Sequence, residues 1–177
     1  LEGCRIGFDL GGSDRKVAAV IDGEVTFSEE TPWDPYHQTD PEYHRAGIMD
    51  SIEKAKAHLP ELDAIGGSSA GVFVDDRPRV ASLFRGISDS DFTEKIIPMF
   101  IDIGKELKVP LSIINDGEVT ALAASMSLEQ NAVPGIAMGM SEATGYVDTQ
   151  GRVTSWLNEL AFAPVDYSSQ APVDEWS

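Results

Sequence analysis

The chain has 177 residues, 42% of them hydrophobic and 24% charged, proportions ordinary for a globular protein. Thirty acidic against thirteen basic residues give a net charge of −17, a surface that repels phosphate backbones and anionic lipid and so argues against nucleic acid or a membrane as partner. One cysteine, Cys4, excludes an internal disulfide framework and a cysteine-based zinc site, and no apolar run has the length of a membrane span or the plan of a secretory leader, so a cytoplasmic location is expected.

Two apolar runs, Ile6 to Leu10 and Val17 to Ile21, flank a small polar turn, and Asp22-Gly23 closes the second, which predicts a hairpin. Between the runs Gly11 and Gly12 leave the backbone uncovered, so that successive N–H groups can face an anion. Ser13 stands beside them as a hydroxyl donor and Lys16 as a mobile cation. Asp9 ends the first strand, where a carboxylate can hold a magnesium ion through water. A plain hairpin with a solvated turn also accounts for these residues. Val25 to Ser28 alternate as a third strand. Residues 29 to 41 read as an ordered loop whose Trp33 and Tyr36 pack on the sheet or border a cleft.

Asp40 caps a helix with Pro41 at its first position, and Met49, Ile52, Ala55 and Leu59 recur along it. His37, His44 and His58 show no ligand spacing and are expected on the surface. Leu62 to Ile65 form a short buried strand, and Gly66 to Gly71 a glycine-rich connector. Val72 to Val74 and Arg79 to Leu83 make a hairpin across Asp75 to Pro78. Phe92, Ile96, Phe100, Ile103 and Leu107 lie on one face of a helix over residues 91 to 108, which Pro98 kinks or restarts.

Leu111 to Ile114 are a buried strand, and Asn115-Asp116-Gly117-Glu118 follow at its carboxyl end, before a helix marked by Val119, Leu122, Ala123 and Met126. Ligand sites of open α/β sheets favour this junction. A carboxylate there either caps the helix or takes the proton of an attacking hydroxyl, and the adjacent amide can fix another hydroxyl. Gly135 to Met140 read as a strand, Ser141 to Gly145 as a turn, and residues around Tyr146 to Asp148 and Arg152 to Thr154 as further strands. An irregular acidic tail runs from Pro164 to Ser177.

Asp-x-Gly-Gly-Ser-x-x-Lys, from Asp9 to Lys16, resembles the first phosphate loop of the ROK (repressor, open reading frame, kinase) sugar kinases of the actin/hexokinase superfamily, and no Walker P-loop occurs. Asn115 to Ala123 (NDGEVTALA) is similar to the ROK signature N-D-x-N-x-x-A-L-[AG], with Glu118 in place of the second Asn. The resemblance implies an α/β fold: a ribonuclease H-like (actin-like ATPase) lobe with a mixed five-stranded sheet and flanking helices over residues 1–130, and the beginning of a second similar lobe over 131–177. It implies Asp116 as catalytic base, Gly71, Asn115 and Glu159 on the sugar, and Gly11, Gly12, Ser13, Lys16 and Gly139 toward the phosphates of ATP, with Asp9 toward Mg2+.

The match is partial in three places. Ala70-Gly71 stand where the family has Gly-x-Pro-Gly, so a ligand-free connector remains open there. Gly139 to Gly145 (GMSEATG) replace a glycine-rich second phosphate loop, and Glu142 brings negative charge toward it. Asn158 to Phe162 (NELAF) replace G-E-[IL]-G-H, so Glu159 keeps the sugar-binding carboxylate or is a surface acid, while Phe162 replaces a histidine. Family members continue past this chain's last residue into a zinc motif and the rest of the second lobe, so the chain is expected to be the N-terminal part of a longer protein. With so short a stretch before the first strand, the helix-turn-helix of ROK repressors is not expected in this chain. The expected function is ATP-dependent phosphorylation of a small-molecule sugar, in a protein for which the resemblance allows a homodimer. A non-catalytic sugar-binding regulator and an actin-type assembly module are the alternatives.

Overall fold

The computed structural model describes residues 2–138, 142–154, 160 and 168–170. The chain divides into two compact units, Leu1–Asn115 and Asp116–Ser177. In the second unit the helix after Asn115 packs on the hairpin that follows it.

The first unit carries, in chain order, β1 (Cys4–Leu10), β2 (Asp14–Ile21), β3 (Glu24–Pro32), helix α1 (Pro41–Lys56), β4 (Ala64–Ser69), β5 (Val72–Val74) and β6 (Arg77–Val80). Then come α2 (Asp89–Asp91), running into a π-helical turn over Phe92–Ile96, α3 (Met99–Leu107) and β7 (Leu111–Asn115). Five strands form one mixed sheet in the order β3-β2-β1-β4-β7, with β1, β2 and β3 antiparallel and β4 and β7 parallel to β1. Strand alternation sends Ile6, Phe8, Leu10, Val17, Ala19, Ile65 and Ile113 to one face, where Ile48, Ile52 and Ala55 of α1 and Met99, Phe100 and Ile103 of α3 cover them. Each of these side chains larger than alanine contributes on the order of 1.5–3 kcal/mol on burial. Cys4 is buried at the start of β1, as expected of a small hydrophobe.

Asp40 caps α1 as expected, accepting the Glu42 N–H at 2.9 Å, with Pro41 at the first turn. His44, expected on the surface, is fully buried. It lies four residues before Ile48 on the same helical stripe, and its Nε2–H donates to the Leu83 carbonyl at 2.9 Å.

The glycine run after Ile65 is strand, not connector, as far as Ser69. Pairing with β1 on one side and β7 on the other overrides the low strand preference of glycine. Gly67 faces the Phe8 ring so closely that a Cβ there would lie 2.3 Å from Cζ. The small hairpin turns earlier than expected, on Asp75 and Asp76 at φ of 51° and 59°, left-handed values that Asp tolerates. Strand β6 therefore ends at Val80, and Leu83 and Phe84 are buried in a 3-10 turn. The Asp76 carboxylate accepts the Ile113 N–H and the Ser112 hydroxyl, both at 2.9 Å, and so caps the outer edge of β7. Pro98 precedes α3 and separates it from the π-helical turn, as its ring requires.

The second unit consists of α4 (Asp116–Leu128) on an antiparallel pair, β8 (Val133–Met138) and β9 (Glu142–Val147). Gly135 pairs with Gly145 across the hairpin, and the helix lies directly on them. A Cβ on Gly135 would fall 2.2 Å from the Ala121 nitrogen, and one on Gly145 would fall 2.3 Å from the Gly117 oxygen. Residues Glu142 to Gly145, expected in a turn, are thus the first four of the six residues of β9, and Gly145 is a packing residue. Among the described residues no helix is long and apolar enough to cross a membrane.

Candidate functional site

The loop between β1 and β2 is held from several sides. The Gly11 N–H donates to the Asp14 carbonyl at 2.9 Å and closes the turn. Trp33, buried at the end of β3, donates its indole N–H to the Gly11 carbonyl at 2.7 Å and its backbone N–H to the Ser13 carbonyl at 3.1 Å. Trp33 is itself wedged against Tyr43 and His44, so the loop is tied to the aromatic core. Arg15, the inward-facing residue of β2 nearest the loop, is buried and donates to the Gly47 carbonyl, to Ser51 Oγ at 2.8 Å and to Asp50 at 2.9 Å. This locks the start of β2 onto α1. Trp33 is therefore a packing residue that positions the loop, and Gly12 is half-buried in the turn.

Both donors assigned to the loop are turned to one acceptor. Ser13 Oγ donates to Asp14 Oδ2 at 2.8 Å, and Lys16 Nζ to Asp14 Oδ1 at 2.7 Å. The Lys16 ammonium and then the Ser13 hydroxyl hold the Asp14 carboxyl below the usual carboxylate range, and Asp14 in turn raises the Lys16 pKa. Donors that converge on a carboxylate form a set that suits an anion, so the loop fits phosphate chemistry, with Asp14 in that place.

Asp9 lies on the sheet face opposite the helices, in a polar row set by strand register. Its neighbours are Lys16 on β2 and Ser68 on β4, and Lys16 is opposite Glu30 on β3. The Ser68 hydroxyl donates to Asp9 Oδ1. An oxygen-only donor at a strand end suits magnesium. Farther along the same carboxyl edge, Ser69 of β4 pairs with Asn115 of β7. Asn115 is buried and donates its Nδ2–H to the Gly71 carbonyl at 2.8 Å. Gly71 sits at φ +116°, and a Cβ there would fall 2.5 Å from the Val80 oxygen, so only glycine fits. The structure thus brings Asp9, Ser13 and Lys16 to one strand pair, and Gly71 to Asn115.

Asp116, next in the chain, is the first residue of α4. Its Oδ1 accepts the Gly117 N–H at 3.1 Å, and its carbonyl accepts the Thr120 hydroxyl at 2.9 Å. Gly139 and Glu159 lie outside the described residues. Sequence reasoning missed Asp14, Arg15 and Ser68. Two of them carried a signal: the alternation that sends Val17 and Ala19 inward also sends Arg15 inward, and Ser68 is one step along the strand from a residue facing Phe8.

No protein-family model matches the chain, and no curated protein matches it in sequence. Solved structures do. The ROK hexokinase from Thermus thermophilus matches 89% of this chain with a TM-score of 0.67 at 16% identity. A ROK-family protein from Streptococcus pneumoniae TIGR4, in complex with sucrose, matches 89% with a TM-score of 0.65 at 13% identity. A ROK-family transcriptional regulator, a homolog of the E. coli MLC protein, matches 93% with a TM-score of 0.68 at 19% identity. The chain has the ROK-family fold. It spans about half the length of these structures, 50%, 50% and 42% respectively. At such identities the likeness establishes the fold, and the chemistry rests on the residues.

Proposed function

We propose that this chain supplies the sugar- and phosphate-binding part of an ATP-dependent sugar kinase. The observation that carries the reading is the clustering on one sheet. The carboxyl ends of β1, β4 and β7 hold Asp9, Ser69 and Asn115, and the turn after β1 holds two donors converging on an anion. Gly11, Gly12, Ser13, Lys16 and Gly139 would hold the phosphates of ATP, and Asp9 its magnesium through water. Bound Mg-ATP supplies the phosphoryl group and the charge that polarises it. Asn115, fixed in one orientation by the Gly71 carbonyl, positions sugar hydroxyls through its amide, and Glu159 accepts from others. Asp116 takes the proton of the attacking hydroxyl as general base, a role worth on the order of 100- to 10,000-fold in rate.

The test is sugar-dependent ADP release over a panel of hexoses and N-acetylated amino sugars, on the longest protein that carries this chain. Asp116→Asn should remove turnover while sugar affinity stays within about threefold, the mark of a group that acts in the transition state alone. Turnover near the parent level in that variant would sink the assignment. A second reading, a sugar-binding regulator without phosphoryl transfer, is supported by the ROK transcriptional regulator among the structural neighbours and by the carboxylate on the loop's donors. It predicts sugar binding with no ADP from any sugar.

A further inference from the structure

The first loop does not present empty donors. Its hydroxyl and its ammonium both hydrogen-bond to Asp14, and the Gly11 N–H is spent on the Asp14 carbonyl. A Cβ placed on Gly11 would lie 3.1 Å from that carbonyl and 3.6 Å from Asp14 Oδ1, so the Asp14 side chain folds back over the bare glycine. Strand register adds Asp9 on one side of Lys16 and Glu30 on the other. An entering phosphate must therefore displace the Asp14 carboxylate to reach the two donors.

We propose that Asp14 is a built-in competitor for the phosphate position, which makes the loop select polyphosphate that arrives complexed to a divalent cation over the metal-free form. The inference rests on the nucleotide-binding reading above and names a residue that reading does not use. Displacing the Asp14 carboxylate from Ser13 and Lys16 sets it free beside the ligand. A metal-free polyphosphate then repels it, whereas a cation carried by the ligand neutralises both. The Asp14 side chain is 22% exposed and that of Lys16 50%, so solvent screens the contest and keeps its effect near tenfold rather than far above it.

The experiment is equilibrium binding of ADP by calorimetry, in excess Mg2+ and in EDTA, for the parent protein, Asp14→Asn, Asp14→Ala and the control Glu30→Gln. The parent should prefer Mg-ADP to metal-free ADP by about tenfold or more, and both Asp14 variants should raise metal-free affinity about tenfold and close most of that gap. Glu30→Gln, which removes a charge but neither hydrogen bond, should leave the gap within about twofold. If Mg-ADP binds and the gap is the same in the Asp14 variants, or if Glu30→Gln closes it equally, the Asp14 inference falls and the nucleotide reading stands. If no form of the protein binds ADP in either condition, while circular dichroism shows all of them folded, both fall together.

Discussion

Replacing Trp33 by Phe tests how the loop between β1 and β2 is held. The change removes the indole N–H that donates to the Gly11 carbonyl at 2.7 Å and keeps an aromatic ring against Tyr43 and His44. The backbone N–H of residue 33 still reaches the Ser13 carbonyl. Losing the donor costs about 1–2 kcal/mol, because the partly buried Gly11 carbonyl keeps its demand for a partner. The lost ring area, at a residue 9% exposed, adds about 1 kcal/mol. Urea unfolding should therefore show a loss of about 2–3 kcal/mol. The more telling readout is amide exchange in the loop. The Gly11 N–H, bonded to the Asp14 carbonyl, should exchange about tenfold faster, while amides in the middle of β1 slow or quicken only with global stability. A global loss with Gly11 exchange unchanged beyond it would mean that Trp33 is core alone and that the loop keeps its shape unaided.

Two further predictions concern packing and pH. Gly67→Ala puts a methyl group against Phe8, which is buried and stacked at 6.3 Å on Phe100, so stability should fall by about 1–3 kcal/mol, and the double change with Phe8→Leu should recover part of it in a denaturation cycle. Burial holds the His44 pKa below the ordinary imidazole value of 6.5, and the Leu83 and Pro35 carbonyls that receive its Nε2–H only partly oppose this. The unfolded chain therefore takes up the proton at a higher pH than the folded one, so stability should fall as pH drops below about 6.5, toward the lower folded value. His44→Gln should flatten that slope in thermal scans from pH 7.5 to 5.5; a slope that survives the change would assign it to other groups.

Much of the fold was legible because hydrophobic period and turn chemistry agreed. Asp22-Gly23 turns where it should, with both residues at positive φ, and Asp40-Pro41 starts α1. Two of the failures share a cause. Gly66 to Ser69 read as a connector because glycine alone has no strand preference, yet β1 and β7 make it a central strand from outside. Glu142 to Gly145 read as a turn for the same reason, whereas Gly145 is glycine because the Gly117 carbonyl occupies the space of its Cβ. Glycine in a sequence records a missing side chain, and only the partner tells whether a ligand, a turn or a second backbone fills the space.

The residues of the proposed site were legible in the sequence, and the state of its donors less so. The spacing from Asp9 to Lys16 located the loop, and Gly71 with Asn115 located the far end of the same sheet edge, where the two meet in a hydrogen bond. What the spacing could not give was the occupant of the donors, since that depends on the rotamer of Asp14, a residue that any polar turn would carry. The chain's acidity bears on this. In a chain of net charge −17, the structure neutralises the loop's donors with the loop's own carboxylate. On the nucleotide-binding reading proposed above, the motif would mark where phosphate sits, and Asp14 would decide what form of phosphate can displace it.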